Sequence, residues 1–559
     1  SIADLLRGNF KQSEYGKVIL PFTVLRRFDC VLAPSKEEIL ERNKSLAVSN
    51  KAPIFKKYTG HDYYNVSKFD FEKLIDDSSS IDTNLKDYIN GFSDDVKEIL
   101  DNFEIVTIIE KLKKAGLLYL VVQKFSEINL GADTIDNLEM GYMFEELIRK
   151  FSEQSNETAG EHFTPREVIE LMVEVLLDAN LDEITTTDGK VITILDPACG
   201  TGGMLSIAQN QIRALNSTTT VIPFGQELNP ETYATCKSDM ILKNNTNSKI
   251  VFGNSFSEDG FREQKFDYIL SNPPFGVEWK KVKNFIENES KHKGYDGRFG
   301  AGTPRISDGS LLFLQHMISK MQPIEKGGSR IGIVFNGSPL FTGDAGSGES
   351  EIRKWIIEKD LLEAVIGLPD QLFYNTGIST YVWILTNRKT DRRKGKIRLI
   401  NGTSFFGKMR KSLGNKRNEI TESDRKEIVR LYSTYEHDEN YIDFDNDDFG
   451  YRKITIERPL YDENREIVVE KGNPKPNSKL RDTETVPFKE DIHEYFKREV
   501  LPHVPDAWID EKKTKIGYEI PFTRHFYKFT PLRESSVVLD EIKQLEEKIQ
   551  KSLNELFKG

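Results

Sequence analysis

Hydrophobic positions up to about residue 150 recur at intervals of three and four, the spacing of an amphipathic helix. The pattern is clearest over residues 15–28, 94–103 and 140–151. The strand, turn and helix rhythm found further along the chain is missing from this part. The sequence therefore predicts a helical N-terminal domain over residues 1–153.

From residue 191 the pattern changes to short β-branched runs that alternate with helical segments. The runs predict strands, which in chain order are VITILD, VIPFGQE, KIVFGNS, FDYILSN, RIGIVF, EAVIGLP and STYVWIL. Strands joined by helices of this length give a mostly parallel sheet with right-handed crossovers and helices on both faces. We therefore expect an α/β domain over residues 154–475. Ligands of such sheets bind beyond the carboxyl ends of the strands.

The C-terminal region, residues 476–559, contains a helical segment with a narrow apolar stripe between charged flanks. The stripe consists of Leu539, Ile542, Leu545, Ile549, Leu553 and Leu556. So thin a stripe is typical of a helix that packs on another helix. We expect the segment to dock on a partner, with packing against its own domain as the alternative.

Composition narrows the class of protein. At 559 residues the chain exceeds what one hydrophobic core usually organises, which agrees with several domains. Three cysteines in no CxxC pair and eight histidines in no ligand spacing argue against a disulfide framework and against metal-dependent chemistry. Because the sequence shows neither a bilayer-spanning apolar run nor a secretory signal, we expect a cytoplasmic protein without a membrane partner.

Charge is unevenly distributed in a chain whose net charge is -11. Residues 388–417 carry twelve Lys or Arg against one acid, whereas residues 436–449 carry seven acids and no Lys or Arg. For the acidic run we expect solvated surface. The basic run is compatible with solvated surface and equally with contacts to phosphate groups.

A Gly-rich turn follows the first predicted strand, in ILDPACGTGG (194–203). Glycine lets the backbone approach a ligand closely, and the helix that follows offers free N–H groups at its N-terminus. The turn is not the GxGxxG fingerprint and lacks the Lys of a P-loop. Its candidate cofactor-binding residues are Asp196, Gly200, Thr201, Gly202 and Gly203.

The next two strand ends add polar groups that suit a nucleoside. Glu227 ends the second strand, where a carboxylate can accept both hydroxyl groups of a ribose. Asn254 ends the third, where a purine edge would lie. Asp196 capping a helix and Glu227 lying on plain surface are the alternatives for single residues. Together the three strand ends predict a nucleoside ligand without a phosphate preference.

The motif DPACGTGG, followed downstream by NPPF at 272–275, resembles the amino-group DNA methyltransferases that use S-adenosylmethionine. The segment GEHFTPREV (160–168) looks like the part of adenine-N6 methyltransferases that closes over the methionine end of the cofactor. This motif order is similar to the gamma arrangement of the superfamily. With LPDQLFYNTGIST (368–380) and the helical first domain, the chain most resembles the modification (M) subunit of type I restriction-modification systems.

The resemblance implies a Rossmann-like S-adenosylmethionine-dependent methyltransferase fold with a mixed sheet, preceded by an all-α domain and followed by a C-terminal helix. It implies DNA as substrate and a specificity (S) subunit that reads the base sequence, with two M per S, and a restriction (R) subunit as a further partner. One departure is His162, where the family often has Phe or Tyr. The cofactor-binding residues carried over from this segment are Glu161, His162, Phe163, Thr164, Pro165 and Arg166.

The NPPF turn suggests how an adenine amine is activated. The side-chain oxygen of Asn272 and the backbone carbonyl of Pro273 could accept both N–H groups, drawing the nitrogen towards tetrahedral geometry. Pro274 makes the turn stiff, and no general base is required. Phe275 supplies an aromatic face for a base flipped out of the duplex. Phe373 looks like the second wall, with a place in the core as the alternative for its ring and Tyr374 as a competitor for the role.

Other functions remain open at this point. The main alternative is a self-sufficient adenine-N6 methyltransferase whose own target-recognition region follows residue 386. A methyltransferase for RNA or glutamine side chains usually carries Tyr where this chain has Phe275. A scaffold without activity is disfavoured because every motif residue is present.

Overall fold

The computed structural model describes residues 2–46, 50–155, 164–243, 245, 247–374, 376–527 and 534–556. The chain divides into two compact units, Ser1–Ile520 and Pro521–Gly559. Among its described residues the first unit contains a helical part, a nine-stranded sheet, a four-stranded sheet and two two-stranded sheets.

Helices form the part of the first unit up to residue 155, as the three-and-four spacing predicts. In order they are α1 (Ile2–Leu6), α2 (Tyr15–Leu32), α3 (Lys36–Ser45), α4 (Ala52–Thr59), α5 (Phe71–Ile75), α6 (Ile81–Asn90), α7 (Asp94–Asn102), α8 (Ile105–Lys114), α9 (Leu118–Ser126) and α10 (Asn137–Ser155). In α7 the buried residues Val96, Ile99 and Leu100 show this spacing. Apolar residues of these helices, other than α3 and α4, meet in one hydrophobic cluster.

The next part alternates helices and strands. Its elements are α11 (Arg166–Asp178), α12 (Leu181–Thr186), β1 (Val191–Asp196), α13 (Gly203–Leu215), β2 (Thr220–Glu227), α14 (Pro230–Leu242), β3 (Lys249–Phe252), β4 (Tyr268–Ser271), α15 (Lys283–Lys293), α16 (Ser310–Ser319), β5 (Arg330–Asn336), α17 (Ser338–Phe341), α18 (Gly348–Glu358), β6 (Leu362–Gly367), β7 (Thr380–Thr386), β8 (Lys396–Asn401), β9 (Gly407–Leu413), β10 (Lys416–Glu419), α19 (Glu422–Ser433) and β11 (Tyr441–Asp445). All seven predicted strands are present.

Within the described residues, nine strands form one mixed sheet in the order β11-β8-β6-β7-β5-β4-β1-β2-β3. Neighbours from β3 to β5 are parallel, while β7 runs antiparallel between β5 and β6. This confirms the predicted α/β class with a mixed sheet. The parallel register brings the carboxyl ends of β1, β2 and β4 to one edge, where the site residues follow.

A small antiparallel sheet completes the first unit. Its strands are β12 (Gly450–Glu457), β15 (Asp482–Pro487), β16 (Trp508–Ile509) and β17 (Lys515–Tyr518), and the other elements here are β13 (Val469–Glu470), β14 (Asn473–Pro474) and α20 (Ile492–Tyr495). The predicted boundary between residues 475 and 476 lies between β12 and β15, which pair. The division into three domains stays a prediction.

The second unit contains α21 (Phe522–His525) and α22 (Ser535–Leu556). Four members of the predicted stripe, Leu539, Ile542, Leu545 and Ile549, are each more than half exposed. The side chains of Leu553 and Leu556 lie outside the described residues. In the part of the chain that the structure describes, no helix is long and apolar enough to cross a membrane.

Candidate active site

The Gly-rich turn after β1 is held by backbone hydrogen bonds to the next strand. The N–H of Cys199 donates to the carbonyl of Gln226 at 3.0 Å, and the N–H of Gly202 donates to the carbonyl of Cys199 at 2.8 Å. Gly202 has φ of +84°, and a Cβ there would lie 2.7 Å from the sulfur of Cys236. Conformation and space together therefore require glycine at this position.

Gly200 differs from Gly202 in its surroundings. Its φ is +54°, but a Cβ added there would meet no atom of the described residues within 4 Å. Gly200 and its neighbour Thr201 line a cleft. The backbone of the turn therefore faces the open cleft at Gly200 and packs tightly against Cys236 at Gly202.

Asp196 joins the Gly-rich turn to the NPPF turn. Its Oδ1 accepts a hydrogen bond from the N–H of Ala198 at 3.0 Å and another from the hydroxyl of Ser271 at 2.9 Å. The side chain is buried, and burial raises the pKa of this carboxyl to about 7. Ser271 directly precedes Asn272, so the bond ties the ends of β1 and β4 together.

Glu227 braces the turn from the end of β2. One carboxylate oxygen accepts from the N–H of Gly200 at 2.9 Å and the other accepts from the N–H of Asn229 at 2.7 Å. Each carboxylate oxygen has two lone pairs and can therefore accept more than one hydrogen bond. The alternative that Glu227 is plain surface does not fit these contacts.

Asn254 has a local role at the end of β3. Its side-chain oxygen accepts from the N–H of Phe256 at 2.9 Å and closes the turn that follows the strand. Neither Asn254 nor Glu227 is among the described residues that line the cleft beside the Gly-rich turn.

Asn272 carries an unusual buried acceptor. Its amide nitrogen donates to the hydroxyl of Thr164 at 2.9 Å, while its Oδ1 is buried without a hydrogen-bond partner among the described residues. An unsatisfied buried acceptor costs about 1–3 kcal/mol, and Asn272 Oδ1 is one of several such side-chain atoms among the described residues. What distinguishes it is its position in the NPPF turn at the wall of the cleft. Asn272 and Thr164 both line the cleft.

The cleft brings together segments that are far apart in the sequence. It lies between the Gly-rich turn, the NPPF turn, α10, α13 and α14 and is open to solvent. The sequence-predicted residues that line it are Thr164, Arg166, Asp196, Gly200, Thr201, Gly203 and Asn272. The sequence did not predict the α10 residues Gly141, Tyr142, Phe144 and Ile148, nor Asp239 of α14 and Lys243 directly after it.

Pro165 is the residue before α11, and Arg166 begins that helix. The guanidinium of Arg166 lies 4.7 Å from the ring centre of Tyr142 and pairs with Glu170 at 3.0 Å. Of the remaining predicted cofactor-binding residues, Glu161, His162 and Phe163 lie outside the described residues.

The two predicted base-contacting rings touch each other. Phe275 and Phe373 have ring centres 6.2 Å apart and planes inclined at 69°, an edge-to-face pair. Both side chains are buried in the core of the large sheet. A base cannot lie between them in this arrangement, so the two-walled pocket stays a proposal that requires one ring to move. Pro273, which precedes them, is buried in the same turn.

Other chemistry finds little support. Among the described residues no group of His, Cys, Asp and Glu could hold a metal ion. Cys199 and Cys236 are buried, and the hydrogen bond between their side chains together with burial raises the pKa of the Cys199 thiol. The Cys199 thiol therefore lacks the character of a nucleophile.

The sheet order, the Gly-rich turn after β1 and the acidic residue ending β2 define the class of Rossmann-like, S-adenosylmethionine-dependent methyltransferases. Residues 136–449 match the family described as N-6 DNA Methylase, and residues 1–125 match the HsdM N-terminal domain. Since the first match spans more than half of the chain, the protein belongs to the N-6 DNA methylase family.

Relatives agree with this assignment. The methylase subunit of the type I restriction enzyme MjaIX of Methanocaldococcus jannaschii is 26% identical over 81% of this chain and 79% of its own length. The methylase subunit of the type I restriction enzyme HindI of Haemophilus influenzae is 31% identical over 49% of this chain and 55% of its own length.

Solved structures show the same fold. The methyltransferase subunit of a type I restriction-modification system from Streptococcus thermophilus superposes with a TM-score of 0.64 at 23% identity, covering 80% of this chain and 94% of that one. A chain from a structural study of complex assembly and conformational transition in the type I restriction-modification system superposes with a TM-score of 0.52 at 18% identity. The match covers 99% of this chain and 96% of that one.

Proposed function

We propose that this chain transfers a methyl group from S-adenosylmethionine to N6 of an adenine flipped out of double-stranded DNA. The observation that carries the proposal is the buried Oδ1 of Asn272, which has no hydrogen-bond partner among the described residues and belongs to an amide bonded to Thr164 at the wall of the cleft. An acceptor without a partner among the described residues is suited to receive an N–H group of the substrate. Family membership supplies the reaction class.

The residues beside the cleft fit the cofactor. S-adenosylmethionine supplies an electrophilic methyl group on a positively charged sulfur. The buried carboxyl of Asp196 at the cleft wall favours a nearby cation, and Glu227 beside the turn has acceptor capacity for ribose hydroxyl groups. The open space at Gly200 admits a ligand against the backbone, and Arg166 is placed to meet a carboxylate.

The NPPF turn performs the positioning. Asn272 through Oδ1 and Pro273 through its backbone carbonyl hold the two N–H groups of the adenine amine out of the ring plane. The nitrogen lone pair is then freed from the ring and directed at the methyl group. The consecutive prolines Pro273 and Pro274 hold the carbonyl in place at little entropic cost. No residue must act as a general base, since the proton leaves after transfer.

A flipped adenine requires the aromatic pair to open. We infer that one ring of the Phe275 and Phe373 pair rotates or shifts, so that the base stacks on Phe275 with Phe373 as the second wall. Each stacked aromatic face stabilises a base by about 1–3 kcal/mol, enough to offset much of the cost of unstacking it from the duplex.

Sequence recognition is proposed to come from a separate specificity subunit, with two copies of this chain per specificity subunit and a restriction subunit as a further partner. The relatives named above are methylase subunits of type I restriction enzymes, which favours this arrangement over a self-sufficient enzyme. The half-exposed apolar stripe of α22 suits docking on a partner helix. The system protects host DNA from its own nuclease.

Product analysis tests the proposed function. The chain, with and without a type I specificity subunit, is incubated with duplex DNA and labelled S-adenosylmethionine, and the nucleosides are identified by mass spectrometry. We expect N6-methyladenine only in the assembled enzyme. Product from the chain alone supports the self-sufficient alternative, while N4-methylcytosine or no methylated base contradicts the proposal.

A further inference from the structure

The basic run 388–417 separates into two parts in the structure. In its first part, among the described residues, five of the seven cations lie within 4.0 Å of an acid; for example, Lys389 contacts Asp360 at 2.6 Å and Arg398 contacts Asp443 at 2.7 Å. Asp443 belongs to the acidic run, whose strand β11 pairs antiparallel with β8. Most of the charge in this half of the basic run is therefore neutralised within the protein.

The second part is the hairpin of β9 and β10, residues 407–419. Its side chains Lys408, Arg410, Lys411 and Arg417 are exposed, and the described residues provide no carboxylate within 4.0 Å of any of them. The hairpin contains one acid, Glu419. Four unneutralised cations on one exposed ribbon form a local positive patch on an acidic protein.

The same hairpin binds the loop that carries Phe373. The N–H of Asn415 donates to the carbonyl of Tyr374 at 2.8 Å, and the N–H of Arg417 donates to the carbonyl of Gln371 at 2.9 Å. Gln371 has φ of +54°, a sparsely populated conformation for a residue other than glycine. These bonds stabilise the loop in a shape that it would not hold alone.

Lys416 strengthens this connection from the inside. It is buried, and its ammonium group donates to the carbonyl of Leu372 at 3.0 Å and contacts the carboxylate of Glu167. Glu167 lies in α11, two residues after Pro165. One side chain thus joins the hairpin, the Phe373 loop and the start of the helix beside Thr164, whose hydroxyl orients Asn272.

We propose that the β9–β10 hairpin binds the phosphate backbone of the DNA duplex beside the flipped adenine, and that it holds the Phe373 loop at the base. The inference rests on the proposed function, because it places DNA at the Phe275 and Phe373 pair. Four exposed cations on a two-stranded ribbon, next to a loop that bears a base-contacting ring, match a backbone contact that fixes the position of the duplex without reading its sequence.

The test is the salt dependence of duplex binding by the assembled methyltransferase, measured by fluorescence anisotropy over a series of KCl concentrations. The variant Lys408→Gln/Arg410→Gln/Lys411→Gln removes three charges from β9. The matched control Arg262→Gln/Lys326→Gln/Lys359→Gln removes three exposed charges. These residues precede β4, β5 and β6 and lie at the amino ends of the strands, opposite the carboxyl ends where the hairpin contacts the Phe373 loop.

Removing one contact between a cation and a phosphate reduces the slope of log K against log salt by about 0.9, so the hairpin variant should bind with a slope smaller by up to about 3. The control should keep the slope of the unaltered enzyme, and both variants should keep its affinity for S-adenosylmethionine. Equal slopes for the unaltered and hairpin enzymes would overturn the inference. If the unaltered enzyme meanwhile forms N6-methyladenine, the proposed function stands. Absence of that product overturns the proposed function instead.

Discussion

The amide nitrogen of Asn272 donates to the hydroxyl of Thr164 at 2.9 Å, and this bond turns the amide oxygen away from Thr164 into a buried position without a partner among the described residues. The pair joins the NPPF turn to the segment before α11, which are 108 residues apart in the chain. The orientation of the acceptor therefore depends on a residue outside its own motif.

Removing the acceptor should abolish catalysis and spare the cofactor. In Asn272→Ala, loss of one positioned hydrogen-bonding group should lower kcat by roughly 100-fold to 1,000-fold. Affinity for S-adenosylmethionine, measured by calorimetry, should stay within a few fold. Thr164→Val should show a smaller loss of kcat because the amide is present but not oriented, while Thr164→Ser keeps the hydroxyl and serves as the control. Unchanged kcat in Thr164→Val would contradict the orienting role.

Glu227→Ala should show the opposite pattern. Hydrogen bonds to a charged group contribute about 1.5–3 kcal/mol, so affinity for S-adenosylmethionine should fall roughly 10-fold to 150-fold. At saturating cofactor, kcat should recover to near the original value, since Glu227 does not contact the amine. Glu227→Gln is the control because it keeps one oxygen acceptor. Its affinity for S-adenosylmethionine should lie between that of the unaltered enzyme and that of Glu227→Ala. An equal loss of cofactor affinity in Asn272→Ala and Glu227→Ala would refute the assigned roles.

The two glycines of the turn should separate stability from binding. Gly202→Ala places a Cβ against Cys236 at positive φ and should lower the free energy of unfolding by roughly 2–4 kcal/mol. Gly200→Ala meets open space and should lower it by only about 1 kcal/mol, while weakening cofactor binding because the methyl group enters the cleft. Urea unfolding and calorimetry measure the two effects. Equal destabilisation by both substitutions would contradict the packing described.

Asp196 should make stability fall as pH rises. Burial raises its pKa to about 7 from 3.8, so between these values the folded chain binds more protons than the unfolded chain. The free energy of unfolding should therefore decrease through this window and level off above it, with a loss of roughly 2–3 kcal/mol between about pH 5 and about pH 8. Asp196→Asn is the control that lacks the titration. Parallel pH profiles for both proteins would show that this carboxyl keeps an ordinary pKa.

The apolar stripe of α22 should be required for binding the specificity subunit but not for binding S-adenosylmethionine. Ile542→Asp/Ile549→Asp places charges on the exposed stripe and should prevent co-purification with the specificity subunit, with cofactor affinity unchanged. The control Gln544→Asp/Gln550→Asp adds the same charges between stripe positions of the same helix. Size-exclusion chromatography distinguishes the two variants. Intact assembly of the Ile542 and Ile549 variant would place the interface elsewhere.

Much of this site follows from the sequence because its residues come directly after strands. Asp196, Glu227 and Asn272 each end an apolar run, and parallel strands bring such ends to one edge. Ser271 ends β4 directly before NPPF, so the same reasoning could have predicted it as a site residue. Its hydrogen bond to Asp196 could not have been predicted from the sequence. Contacts between segments far apart in the chain could not be predicted from strand ends. Examples are the α10 residues that line the cleft and the edge-to-face contact of Phe275 with Phe373.

Charge patterns were the least informative part of the sequence. The runs at 388–417 and 436–449 look like two separate surfaces, but the pairing of β8 with β11 sets one against the other. The ion pair of Lys416 with Glu167 joins residues 249 positions apart, which no local pattern reveals. A run of basic residues in the sequence does not show whether its charges are exposed or neutralised, because that depends on which acidic residues the fold brings near them.

The pair of Arg398 with Asp443 makes the edge of the large sheet sensitive to a single substitution. Asp443 and Asp445 of β11 neutralise Arg398 and Lys396 of β8. The side chain of Arg398 is buried, so loss of the Asp443 carboxylate would leave a buried guanidinium that keeps only its carbonyl and ring contacts. Breaking a buried ion pair by removing one partner is strongly destabilising. Acidic residues that look like solvated surface in the sequence thus hold the last strand on the sheet.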